Sequence, residues 1–251
     1  KCGKYMEDCF LSLGVDAKIV YASDLTDKKD YWEKVIRIAK NSSLARIRRA
    51  MTIMGRKESD AETDSSKLMY PSMQAADIFE LGVDVALGGM DQRKAHMLAR
   101  DVSEKLGWKK PIAIHTSLLG SLTGTERMES KMSKSSPESC VFIHDPEDDI
   151  KRKIKNAYCP MEIENNPVID ICRHIIFREH ETITIERPEK YGGNLNLTET
   201  ELLKVYPKEL HPADLKSAVS KHLIQILEPV REYFEKNPEN LETIKGFTVT
   251  R

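Results

Sequence analysis

Lys131 and Lys134 stand three residues apart in the run Lys131-Met132-Ser133-Lys134-Ser135-Ser136, interleaved with hydroxyls on a stretch too polar to bury. An ammonium on a flexible stem is a movable point charge, and two of them can close over a polyphosphate and follow its charge as a bond breaks. The same run also reads as a solvated basic loop after a helix. A second group is Tyr70, Gln74 and Asp77, spaced i, i+4, i+7, so that on a helix they share one face. A phenol, an amide and a carboxylate are costly to bury without partners, whereas Ala75 and Ala76 beside them leave room. The stripe is either hydrated surface or the lining of a pocket for a small polar molecule, with Asp77 accepting from a hydroxyl. Gln92, just past Gly88-Gly89, can reach that pocket from a strand end, the glycines letting backbone approach a ligand closely.

The elements that must hold these residues follow from periodicity and punctuation. Residues 68–79 have a helical pattern with Pro71 suited to the first turn, and Gly82 ends it. Residues 83–87 read as a buried strand running into Gly88-Gly89, residues 91–106 as a helix, and residues 111–115 as a further strand. This is the order of an open parallel α/β sheet, in which ligands sit beyond the carboxyl ends of the strands. Upstream, residues 1–13 form an amphipathic helix, 17–21 a short strand, 30–54 a helix broken near Asn41-Ser42-Ser43, and 58–67 a polar connector. After Asp145 the pattern turns helical, over 147–157, 167–177, 198–205 and 212–234, with one extended run at 182–186. A domain change therefore falls between about Asp145 and Pro160.

Composition sets bounds on function. With 251 residues, 40% hydrophobic and 31% charged, the chain can bury a substantial core, and no apolar run approaches the roughly 20 residues of a membrane span. Neither a signal peptide nor a membrane partner is expected, and the compartment expected is the cytoplasm. Cys2, Cys9, Cys140, Cys159 and Cys172 are odd in number and lack a C-x-x-C, so reduced thiols are expected; the spacing of Cys159, Cys172, His174 and His180 matches no closed zinc site. A net charge of −1 does not demand a nucleic-acid partner. The clusters Arg46, Arg48, Arg49 and Lys151, Arg152, Lys153, Lys155 can still contact phosphates locally, although each taken alone reads as a solvated helix face.

Five motifs occur in order: Met69-Tyr70-Pro71-x-Met73-Gln74-x-x-Asp77-Ile78; Leu87-Gly88-Gly89-Met90-Asp91-Gln92-Arg93-Lys94; Lys131-Met132-Ser133-Lys134-Ser135; Pro188-Glu189-Lys190-Tyr191-Gly192-Gly193; and Leu210-His211-Pro212-x-Asp214-Leu215-Lys216. Together they resemble the tyrosyl-tRNA synthetases of the archaeal and eukaryotic type, over essentially the whole chain. The resemblance implies an α/β fold: an incomplete Rossmann-like parallel-sheet catalytic domain at residues 1–145, then a mainly helical anticodon-binding domain at 146–251. The connective and dimer region would be about 21–83, and the phosphate-handling loop 131–135. The implied activity is ligation of tyrosine to tRNA(Tyr) by way of tyrosyl-adenylate, using ATP accompanied by Mg2+, in a cytoplasmic homodimer.

The resemblance also implies residue roles. Tyr70, Gln74, Asp77 and Gln92 would bind tyrosine, Asp77 reading the phenol hydroxyl and the two glutamines lying near the amino group. Lys131 and Lys134 would be the catalytic lysines that stabilise departing pyrophosphate, with Ser133 and Ser135 joining Lys134 in binding ATP. Arg49 and Arg93 would lie near the first base pair of the acceptor stem. Tyr191, His211 and Asp214 would surround the first anticodon base, a guanine; a stacking face and a carboxylate acceptor suit that base. From the residues alone, Tyr191 packs a turn and Asp214 caps the helix after Pro212.

The family's early His-x-Gly-His is not matched by His96, His115, His144, His174, His180, His211 or His222. The expectation is an N-terminally truncated chain that does not by itself form tyrosyl-adenylate. The competing expectation is a noncatalytic tRNA-binding fragment.

Overall fold

A computed structural model describes residues 1–51, 65–124 and 137–245. Their contacts divide the chain into two compact units, one of residues Lys1–Ile19 with Leu119–Arg251 and one of residues Val20–Leu118. The division differs from a break between 145 and 160. The first helix and the residues from 119 onward bury their apolar side chains with the C-terminal half, which linear order could not reveal.

In chain order the elements begin with α1 (Cys2–Ser12), which belongs to the first unit. Residues 17–21 form no strand, because no ladder joins them to another strand among the described residues, and most of them are exposed. The second unit follows, with α2 (Ala22–Thr26), α3 (Lys29–Lys40) and α4 (Leu44–Met51), the break between the last two falling at the polar residues 41–43. Next come α5 (Tyr70–Glu80), with Pro71 in its first turn, β1 (Val85–Gly89), α6 (Arg93–Leu106) and β2 (Ile112–Thr116). Gly107 closes α6 at φ +67, a left-handed conformation that glycine adopts without a Cβ penalty.

Strands β1 and β2 pair in parallel, Val85 opposite Ile112 and Gly89 opposite Thr116, with α6 as the crossover. Only one face of this ribbon is covered: Ala86 joins a core with Tyr31, Val35, Ile38, Ala75, Ala76 and Leu98. Val85, Leu87, Ile112 and Ile114 lie on the other side and are between 46% and 69% exposed, so the strand expected to be buried is covered on a single face.

The first unit resumes with α7 (Glu147–Asn156), α8 (Pro167–Ile171), a π turn at Cys172–Ile176 and α9 (Phe177–Glu179). The antiparallel strands β3 (Ile183–Ile185) and β4 (Leu195–Leu197) flank the Tyr191 turn; β4 is too short to announce itself in the sequence. Then come α10 (Glu199–Glu209), α11 (Pro212–Ile226), α12 (Glu228–Lys236) and α13 (Glu239–Lys245). The single helix expected over 212–234 is two, because Pro229 lacks the N–H that would bond one turn back to Gln225.

Ile150, Ile154, Val168, Ile169, Ile176, Ile183, Ile185, Leu202, Leu215 and Val219 are fully buried together, each such side chain contributing about 1.5–3 kcal/mol of transfer free energy. Helix α1 is tied to the same unit where Asp8 accepts from Tyr233 at 3.1 Å and Asn240 at 2.8 Å. The fold is thus a small parallel α/β unit and a mainly helical unit in one chain.

Candidate functional site

Helix α5 lies against α3 on one side and α6 on the other, which fixes the environment of its polar stripe. Gln74 donates from Nε2 to Oε1 of Gln92 at 2.7 Å. Gln92 ends the short turn Met90–Gln92 that joins β1 to α6, so the contact sits at the carboxyl end of a parallel strand. Gly88 makes room for it: a Cβ there would stand 3.2 Å from the Gln92 Cβ and 3.1 Å from the His96 Cε1. The glycine serves the folding-back of protein side chains over the strand end, a closer reason than the approach of a ligand.

Two polar features mark the cluster. The buried Oε1 of Gln74 has no hydrogen-bond partner, a costly state for a buried acceptor and one that a ligand's ammonium or hydroxyl would relieve. Asp77 is half-buried; desolvation pushes its carboxyl above the usual carboxylate range, and a hydrogen bond from the Tyr31 hydroxyl to Oδ1 at 2.9 Å opposes that rise. Tyr31, 2% exposed on α3, is the residue here that the sequence reading did not single out. Its signal was a tyrosine in an apolar helical stripe, indistinguishable from ordinary core.

Below Gln92, His96 Nδ1 and His115 Nε2 lie 3.1 Å apart, and burial together with the neighbouring imidazole pushes His96 below the ordinary histidine value. Tyr70, one turn before Gln74 on the same helix face, is 44% exposed and not yet enclosed. The structure therefore brings Gln74 and Gln92 into contact, holds Asp77 in the interior between α3 and α5, and leaves Tyr70 at the rim. Lys131, Ser133, Lys134 and Ser135 lie outside the described residues.

Arg49 and Arg93 are both exposed, on α4 and α6, which meet where Ala50 and Ala95 are fully buried against each other. Two residues without long side chains let the helices approach at that point. The other basic cluster is largely spent internally. Lys153 is buried 2.6 Å from Asp145, Arg152 pairs with Glu138 and Asp149, and Lys151 pairs with Glu147.

In the first unit, Tyr191 is 61% exposed and ends the turn Glu189–Tyr191, with the Lys190 ammonium 4.8 Å from its ring centroid. Gly192 and Gly193 follow at φ +95 and +72 and reverse the chain. Arg187 clamps this reversal: its Nε donates to Gly193 O at 3.1 Å and its Nη1 to Glu209 O at 3.3 Å, just before His211. His211 caps α11, its Nδ1 accepting from Ala213 N at 3.1 Å. The helix cap is therefore His211 and not Asp214, which stands in the first turn.

A family model described as tRNA synthetases class I (W and Y) matches residues 3–228. A protein of Picrophilus torridus named tyrosine--tRNA ligase is 53% identical over 239 residues, which cover 92% of this chain and 73% of that protein. The chain belongs to the tyrosine branch of the class I tRNA synthetases. A tyrosine--tRNA ligase of Aeropyrum pernix is 51% identical over 253 residues, 93% of this chain and 69% of its own. Among solved structures, tyrosyl-tRNA synthetase of Pyrococcus horikoshii complexed with L-tyrosine superposes with a TM-score of 0.90 at 42% identity, covering 98% of this chain and 74% of that one. A tryptophanyl-tRNA synthetase of Encephalitozoon cuniculi shares the fold at 22% identity, with a TM-score of 0.61, over 93% of this chain and 62% of that one. The resemblance read from five short motifs is therefore borne out at the level of family and fold class.

Proposed function

We propose that this chain works as a tyrosine-tRNA ligase, joining tyrosine to ATP as tyrosyl-adenylate and passing the tyrosyl group to tRNA(Tyr). The observation that carries the reading is the Gln74–Gln92 contact at the end of β1, with an orphaned acceptor on Gln74 and the Asp77 carboxylate one turn on. Tyrosine would place its ammonium near the two amides and its phenol hydroxyl at Asp77, with Tyr70 closing the rim. A site that hydrogen-bonds a substrate hydroxyl rejects the analogue lacking it because its own polar groups are then left unpaired, and tyrosyl-tRNA synthetases are themselves the standing example of that rule.

Residues 1–145 would carry the activation chemistry and residues 146–251 the anticodon contacts. Lys131 and Lys134 would meet the charge that develops on departing pyrophosphate, and Ser133 and Ser135 would bind the same phosphates. Mg2+ in this reading arrives on the ATP phosphates. Arg49 and Arg93 would hold the acceptor stem. Tyr191 would stack on the first anticodon base and Asp214 would accept from its guanine edge, with His211 beside them.

A homodimer through about residues 21–83 is part of the proposal, supported by Trp32, Ile36 and Leu44, which are 38%, 61% and 54% exposed in that stretch. A cytoplasmic location accords with its aminoacylation substrates; among the described residues no helix is long and apolar enough to cross a membrane.

The test is tyrosine-dependent exchange of pyrophosphate into ATP, followed by charging of tRNA(Tyr). Both reactions, with phenylalanine a poor substrate, are expected once the family's His-x-Gly-His is supplied; the 251 residues by themselves, in which no histidine sits in that motif, are expected to give no exchange. Binding of tRNA(Tyr) without exchange even with the motif supplied would instead favour a noncatalytic tRNA-binding protein.

A further inference from the structure

We infer that Tyr31 is a positioning residue for tyrosine selection, holding one oxygen of Asp77 so that the other faces the substrate's phenol. The inference rests on the tyrosine-binding reading above and adds to it a residue from a different helix. Tyr31 sits on α3, 46 positions before Asp77 in sequence, and is 2% exposed. Its hydroxyl is 2.9 Å from Asp77 Oδ1 and 3.3 Å from the Met73 carbonyl oxygen. A phenol has one proton, so it is drawn to the nearer and charged acceptor, and charge-assisted bonds of this kind are the shorter and stronger ones. The ring is held edge-to-face against Trp32 at a centroid separation of 5.6 Å, and Trp32 is itself anchored by its Nε1–H to Thr26 O at 2.7 Å.

Three consequences follow from that geometry. Desolvation favours a neutral Asp77, which would present a proton to the substrate phenol instead of an acceptor; the Tyr31 hydrogen bond works against this. With Oδ1 engaged, rotation of the carboxyl group is restricted and Oδ2 is the oxygen left for a ligand hydroxyl. The bond also occupies the acceptor that an incoming water would otherwise take, so the pocket discriminates by one defined lone-pair direction.

The test compares equilibrium binding of L-tyrosine and L-phenylalanine to the whole chain for wild type, Tyr31→Phe, Asp77→Asn and the double variant, with thermal melts run alongside. Tyr31→Phe is expected to cut the tyrosine-to-phenylalanine affinity ratio about tenfold or more, from the loss of one hydrogen bond to a charged group. In the Asp77→Asn background the same change is expected to alter the ratio less than twofold, because the partner through which it acts is gone. Incorporating p-aminophenylalanine at position 31, which keeps the ring and restores a donor, is expected to recover most of the ratio and serves as the folding control. A purely structural Tyr31 would weaken both amino acids alike and leave the ratio unchanged, which overturns the inference. Wild type that binds neither amino acid, or both equally, overturns the tyrosine-binding reading itself, and the inference with it.

Discussion

Gln74 and Gln92 meet side chain to side chain at 2.7 Å, the one from the middle of a helix and the other from a turn eighteen residues on at the mouth of a parallel strand. Each would be an ordinary surface amide alone. Joined, they present a buried acceptor without a partner at the place where open α/β sheets bind ligands. Gln92→Ala is expected to weaken tyrosine binding about tenfold, on the order of 1.4 kcal/mol, since Gln74 then loses its orientation as well as its partner. Calorimetric titration with tyrosine measures it, and an unchanged affinity would remove the amide pair from the site.

Asp77 gives a pH prediction with a definite sign. Its folded-state carboxyl is held above the usual value by burial, so the native chain binds that proton more tightly than the unfolded chain. The ionised group therefore destabilises the fold, and the penalty is relieved as pH falls through the raised value. Tyrosine binding is expected to decline over that same interval, starting above the ordinary carboxylate range. Asp77→Asn should abolish this dependence and raise the melting temperature at neutral pH, the usual trade between stability and function. Binding and melting followed from pH 4 to 8 distinguish this from a site that ignores Asp77.

Arg187 joins the turn bearing Tyr191 to the end of α10, donating to Gly193 O and Glu209 O. Replacing it with alanine frees a turn that two left-handed glycines already make pliable, so ordering falls to the binding step. Affinity for tRNA(Tyr) is expected to fall several-fold while tyrosine binding is untouched. Equal loss of both would point to general unfolding.

His211 invites a separation of two roles. As the N-cap of α11 its ring accepts from Ala213 N, and loss of the cap in His211→Ala should cost about 1 kcal/mol. Asparagine is a strong N-cap, so His211→Asn should retain the stability. If the imidazole also contacts the anticodon, both variants lose affinity for tRNA bearing a guanine at the first anticodon base. If it only caps, the asparagine variant binds normally.

The buried pair of Lys153 and Asp145, 2.6 Å apart, tests the division into units, because Asp145 also accepts from Phe142 N at 2.8 Å. Lys153→Met leaves a buried charge uncompensated and is expected to destabilise the unit by about 3–5 kcal/mol. Pairing it with Asp145→Leu should recover part of that loss. Denaturant titrations of the single and double variants provide the comparison.

Much of the fold was legible because local rules suffice where periodicity is strong. The helix carrying Tyr70, Gln74 and Asp77, the turn at Gly88-Gly89 and the crossover to β2 needed only an apolar stripe, a proline at a helix start and two glycines. The helix expected over 212–234 is interrupted at Pro229, whose missing N–H does not show in the apolar periodicity. The strand expected at 17–21 failed because a strand is defined by a partner, which no local pattern supplies.

The sequence by itself determined the family, the helical face on which three polar residues align, and the glycines that let a strand end fold back on itself. It could do so because spacing along a chain becomes direction in space once the element type is known. Only the tertiary structure decided that Tyr31 grips Asp77, that Arg187 braces the Tyr191 turn, that His211 and not Asp214 caps its helix, and that the first helix joins the C-terminal unit. Those facts depend on which side chains compete for the same donor or the same buried volume. That competition is settled between residues far apart in sequence.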